Sequence, residues 1–188
     1  MLRVLSATVQ WVVSRGMEEM LIEHLVVRAA TRAVLEDAHL LAHDCCEMAF
    51  THRVAVYLEP AFYEWNVDCE YNRDGHEPKT LRLDDLTEDQ VRPDIIIHRR
   101  GSNADNLVVI EAKKLGREDP EVDLRKLRAF RDRLEYRVIA FLMLRVGTQA
   151  HPERIGAHLA FGSGRSAQLG THAPEAPRAN WFERLGLP

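Results

Sequence analysis

The chain has 188 residues, 46% of them hydrophobic and 29% charged, with a formal net charge of −4. That mix excludes global disorder and a simple polycationic nucleic-acid binder, and the length suits a single domain, residues 1–188, that buries its own core. No run approaches the ~18 consecutive apolar residues of a membrane span. Gln10 interrupts the mildly apolar start and no small-residue cleavage site follows, so neither a secretory signal nor a membrane partner is expected. Cys45, Cys46 and Cys69 form no spaced framework, which fits a reducing, cytoplasmic setting. The charge is uneven: residues 1–91 hold 8 basic and 17 acidic side chains, residues 92–145 hold 13 and 9. A basic excess in the middle of the chain is compatible with a local polyanion site.

In chain order, Val9, Val12, Val13, Met17, Met20 and Leu21 suggest a helical extension over residues 1–30. Residues 31–58 read as one long helix, because Val34, Leu35, Ala38, Leu41, Cys45, Met48 and Ala49 recur at steps of three and four; Pro60 ends it. The period then falls to two. Val67, Cys69 and Tyr71 alternate with Asn66, Asp68, Glu70 and Asn72, which predicts a strand with one polar face. Arg73-Asp74-Gly75 is turn chemistry, and residues 77–90 read as a polar loop or short helix. Ile95-Ile96-Ile97 and Leu107–Ile110 are β-branched, oily runs of buried strands. Asp119-Pro120 starts a helix with Leu124, Leu127, Phe130 and Leu134 on one stripe. Val138–Val146 is the most apolar strand. The order is helix, strand, strand, strand, helix, strand, an α/β core over residues 31–146. Residues 147–188, with one short strand near Leu159–Phe161, are expected to be peripheral.

Two of the buried strands carry acids. Asp94 opens the Ile95–Ile97 run, and Glu111 closes the Leu107–Ile110 run, with Lys113 two residues on. Side chains two apart share a strand face, so Leu107, Val109, Glu111 and Lys113 go together. In a hairpin, Asp94 and Glu111 approach at one end of the sheet, and two converging carboxylates repel unless a cation sits between them. Oxygen ligands favour Mg²⁺, with Mn²⁺ as the alternative. Such an ion polarises a phosphoryl oxygen and acidifies a bound water, and Lys113 could stabilise the hydroxide and the transition state. The bland reading is a plain ion pair between Glu111 and Lys113.

Pro93-Asp94, sixteen residues, then Glu111-Ala112-Lys113, in that order of elements, resembles the PD-(D/E)XK nuclease superfamily, the restriction-endonuclease-like fold. The resemblance covers residues 31–146. It implies an α-β-β-β-α-β core with a mixed central sheet flanked by helices, and Mg²⁺-dependent hydrolysis of phosphodiester bonds in DNA, or less expectedly RNA, by a metal-activated water. It implies that Asp94, Glu111 and the Ala112 carbonyl hold the metal, that Lys113 acts on the water, and that Glu47 on the first helix completes the site. Arg99, Arg100, Lys114 and Arg117 are candidates for substrate binding. A homodimer or a protein partner would suit a domain without a second recognition module. The alternative is a catalytically inactive nucleic-acid- or protein-binding domain on the same fold.

Other residues carry weaker signals. His39 and His43, four apart and in a row with Glu47, have a spacing that can bind zinc. Asp68 and Glu70 read as a solvated face, with Glu70 the one that could feed the metal site. His52-Arg53 either anchor phosphate or pair with acids. Trp65 and Tyr71 read as core. Arg125, Lys126, Arg128, Arg131 and Arg133 read as a solvated helix face balanced by Asp123, Asp132 and Glu135, with tracking of a phosphate backbone as the alternative. Gly162-Ser163-Gly164-Arg165 is a surface turn, because no Lys-Ser/Thr follows it.

Overall fold

The computed structural model describes residues 7–82, 88–102, 105–116 and 120–173. Helix α1 is Ala7–Glu36, α2 is Ala38–Ala42 and α3 is Glu47–Leu58. Strand β1 is Asn66–Cys69, and four short strands follow, β2 Arg73–Asp74, β3 Glu77–Pro78, β4 Thr80–Arg82 and β5 Glu88–Gln90. Then come β6 Ile95–His98, β7 Asn106–Lys114, α4 Glu121–Leu134, β8 Val138–Arg145, β9 Gly156–Phe161 and β10 Ser166–Leu169. The main sheet has the order β1-β6-β7-β8-β9-β10. Its one parallel pair is β7–β8, joined by α4, and the other neighbours are antiparallel. The architecture is therefore α/β with a mixed sheet between helices. Among the described residues no helix is long and apolar enough to cross a membrane.

The two sheet faces have separate cores. Ile95, Ile97, Val108, Ile110, Ala112, Leu142 and Leu144 pack against α1 and α3. Ile96, Val109, Ile139, Phe141 and Met143 pack against Leu124, Leu127 and Phe130 of α4. Strand alternation assigns every one of these residues to its side. Leu107 is the exception. Ile97 pairs with Val108 and His98 with Asn106, so Leu107 is the extra residue of a bulge, and it joins the α1–α3 core rather than the face of Val109.

Four further expectations are corrected. The long helix over residues 31–58 is broken at Asp44, which has φ of +53°. Cys45 N–H donates to the Leu40 carbonyl and Asp44 N–H to that of Leu41, a left-handed helix stop. Asp tolerates this conformation through its short polar side chain, and no glycine advertises it. The helical extension expected over residues 1–30 does not end there: from Ala7 it is one helix running through to Glu36, with Ile22, Val26, Ala29 and Ala30 buried on the sheet. Residues 147–173 are not peripheral either. Strand β9 is buried along its length and pairs with β8 from Ala140–Phe161 to Arg145–Gly156. Residues 77–82 and 88–90 form short strands rather than a loop or helix.

Candidate metal centre

Ile95 lies across from Ile110, so the next step of the antiparallel register sets Asp94 against Glu111. Asp94, Ile96 and His98 alternate onto the α4 side of the sheet, as do Val109, Glu111 and Lys113. The two carboxyls meet there and are hydrogen-bonded to each other. Asp94 Oδ2 also accepts the Ala112 N–H at 2.6 Å. A strand residue points its N–H and C=O to the same side, so the Ala112 carbonyl faces the same gap. Glu111 is 4% exposed, and its buried Oε1 has no hydrogen-bond partner.

The electrostatics follow from burial and like charge. Burial, and then the charges of Glu70, Glu47 and Asp123, raise the Asp94 carboxyl to about 6 despite the Ala112 N–H. Burial and Asp94 push Glu111 well above the usual carboxylate range, and Lys126 only partly offsets them. Both shifts favour the protonated forms, as two converging carboxyls require. An orphaned buried oxygen beside a second carboxylate and a backbone carbonyl is a hard-oxygen donor set that fits Mg²⁺ or Mn²⁺.

Lys113 belongs to this group. Its Nζ is 3.5 Å from Asp123 Oδ2, and Lys126 Nζ is 2.9 Å from Asp123 Oδ1. Asp123 and Lys126 are the residues that sequence reasoning placed on a solvated face. Asp123 is in fact 6% exposed and turned toward the sheet. The available signal was an opposite-charge pair three apart, flanking the first leucine of the α4 stripe. Glu70, the weaker candidate for this site, lies close to Asp94. Its N–H donates to the Pro93 carbonyl, and it sits at φ +53°, a left-handed conformation unusual for a non-glycine residue. That turn ends the alternation of β1 and brings the Glu70 charge to bear on Asp94.

Glu47 is the first residue of α3 and not a continuation of the His39–His43 row. Its Oε1 accepts the Lys114 N–H at 2.7 Å, which ties α3 to the end of β7. Because α2 stops before Glu47, the three residues do not form one helical row. His39 and His43 stack on each other at 3.9 Å.

The substrate-binding candidates separate. Lys114 is 6% exposed, and its Nζ is 2.7 Å from Asp44 Oδ1, so it is engaged in a structural ion pair. We expect Lys114→Met to lower stability by about 1–3 kcal/mol through the loss of that pair, checked by urea unfolding. Arg99 and Arg100 follow β6 at the opposite end from Asp94. Arg99 pairs with Asp105 and covers Trp65, and Arg100 pairs with Asp68. Arg117, and Asp119 as the cap of α4, lie outside the described residues.

The remaining weaker signals take their bland reading. Asp68 is held by His98 and Arg100 on the α4 side. Arg53 pairs with Asp37 and donates to Tyr57. No protein-family model matches the chain, and neither a comparison with characterised proteins nor one with solved structures found a match.

Proposed function

We propose that this protein is a metal-dependent nuclease that hydrolyses phosphodiester bonds, with DNA as the first substrate to test and RNA as the second. The observation that carries the reading is the Asp94–Glu111 pair, a half-buried and a buried carboxyl across adjacent strands, the latter with an oxygen that no described residue satisfies. The order α3, β1, β6, β7, α4, β8, with acids on β6 and β7 and Lys113 two residues beyond Glu111, supports the likeness to the PD-(D/E)XK superfamily.

Asp94, Glu111 and the Ala112 carbonyl would hold a divalent cation, and Glu70 and Glu47 add negative charge around it. The bound ion would supply a polarised phosphoryl oxygen and an acidified water. Lys113, at the same strand end, places an ammonium where negative charge builds on the phosphate and on the attacking oxygen. Asp123 fixes that ammonium. Helix α4 covers this side of the sheet and keeps the local dielectric low, which strengthens each of these interactions.

The test is incubation of the purified protein with supercoiled DNA, linear DNA and single-stranded RNA, in Mg²⁺, Mn²⁺ or EDTA. Cleavage should require the metal and vanish in Glu111→Ala and Lys113→Ala with the fold intact. Cleavage that survives both substitutions overturns the reading. Metal binding at Glu111 with no cleavage of any substrate would favour an inactive binding domain.

A further inference from the structure

The cation that acts on the acidic pair from the helical side is Lys126, and the reading above gives it no task. Its ammonium is held 2.9 Å from Asp123 Oδ1, while the other oxygen of Asp123 faces Lys113 at 3.5 Å. Asp123 is thus a buried clamp with one ammonium on each oxygen. The Lys126 side chain retains 29% exposure, so its four-carbon stem has room to move. Burial works against its charge, but Glu111, Asp123 and Asp94 together hold it on. Its bond to the buried Asp123 keeps it on the side of the sheet where the two carboxyls meet.

We propose that Lys126 is the resident counter-ion of the Asp94–Glu111 pair, that an incoming divalent cation displaces it, and that the freed ammonium then serves as a second cation for the substrate phosphate beside Lys113. The inference rests on the metal-centre reading. Asp123 is a positioning residue that keeps both ammonium groups at the site. No bond is made or broken by Lys126; it exchanges one anionic partner for another. A metal ion and an ammonium compete for the same carboxylates, so removing the ammonium should favour the metal. Its loss should at the same time weaken the hold on phosphate. A merely structural lysine would weaken both.

The experiment measures Mn²⁺ affinity of the full chain by titration of free Mn²⁺ with electron paramagnetic resonance. In parallel, DNA affinity is measured in Ca²⁺. Lys126→Gln is expected to bind Mn²⁺ roughly three- to tenfold more tightly and DNA roughly fivefold more weakly. Lys126→Arg, which keeps the charge, should stay near wild type for Mn²⁺ and reports if Lys126→Gln folds poorly. Arg125→Gln removes the same charge from an exposed position one residue away and should leave Mn²⁺ affinity unchanged. Unchanged or weaker Mn²⁺ binding in Lys126→Gln overturns the inference, as does equal tightening in Arg125→Gln. Wild-type Mn²⁺ binding that persists in Glu111→Ala overturns the metal centre itself, and the inference with it.

Discussion

Glu111→Gln is expected to raise the melting temperature of the metal-free protein while reducing metal-dependent cleavage by roughly a thousandfold or more. The two effects have one cause. Glu111 is 4% exposed, its Oε1 lacks a partner, and Asp94 stands across from it. A buried charge that is only partly compensated costs several kcal/mol, and Lys126 offsets this one only in part. Glutamine has the same shape, carries no charge and offers an amide donor to Asp94. The gain at pH 8 should be about 1–3 kcal/mol, or roughly 2–10 °C at this chain length. A millimolar divalent cation should raise the melting temperature of the wild type, since a ligand that binds only the folded state stabilises it. It should leave Glu111→Gln unmoved. Thermal scans in EDTA and in Mn²⁺, beside a plasmid-nicking assay, read both effects. A fall in melting temperature would mean that Glu111 is held by a structural ion pair, as the plainer reading of Glu111 and Lys113 supposes.

The residues of this centre were legible where they interrupted an oily run. Asp94 and Glu111 stand out because β6 and β7 are otherwise apolar, and a two-residue period then assigns Lys113 to the side of Glu111. Side-chain partners were not legible: Arg99 and Arg100 follow the far end of β6, where they pair with Asp105 and Asp68. Lys114, adjacent to Lys113, alternates to the opposite face and is consumed by Asp44. The helix break at Asp44 was hidden because aspartate, not glycine, occupies the left-handed position. Asp123 and Lys126 were hidden because charged helix residues default to solvent, and only the tertiary packing of α4 on β7 and β8 turns them inward. Strand β9, Gly156–Phe161, lacks the β-branched signature of the other buried strands, and its burial comes from β8 and β10 on either side.

The metal-free protein is also expected to lose stability as pH rises from about 4 to 8, to the extent set by this pair. Burial, and then the neighbouring acids, raise Asp94 from 3.8 to about 6, and Glu111 is displaced in the same direction. An acid with its folded value above its unfolded one binds more protons in the folded state. Its stabilising contribution is therefore complete below the unfolded value and disappears as pH rises through the folded one. For Asp94 that window runs from 3.8 to about 6, and two units correspond to roughly 3 kcal/mol. Asp68, held low by Arg100 and His98 against the opposing effect of burial, and the two histidines His98 and His158, lowered by burial, act in the opposite sense. The comparison must therefore be with a variant that removes only this group. In Asp94→Asn the amide oxygen would accept the Ala112 N–H and the amide nitrogen would donate to Glu111. Urea unfolding in EDTA should find Asp94→Asn more stable than wild type at pH 8 by about 2–3 kcal/mol, with the gap closing toward pH 4. Mn²⁺ should narrow the gap at pH 8, because the ion binds the ionised pair and its affinity rises as the protons leave. A gap that stays constant across this range would mean that Asp94 titrates as an ordinary surface acid, and the cation would then have no excess negative charge to neutralise.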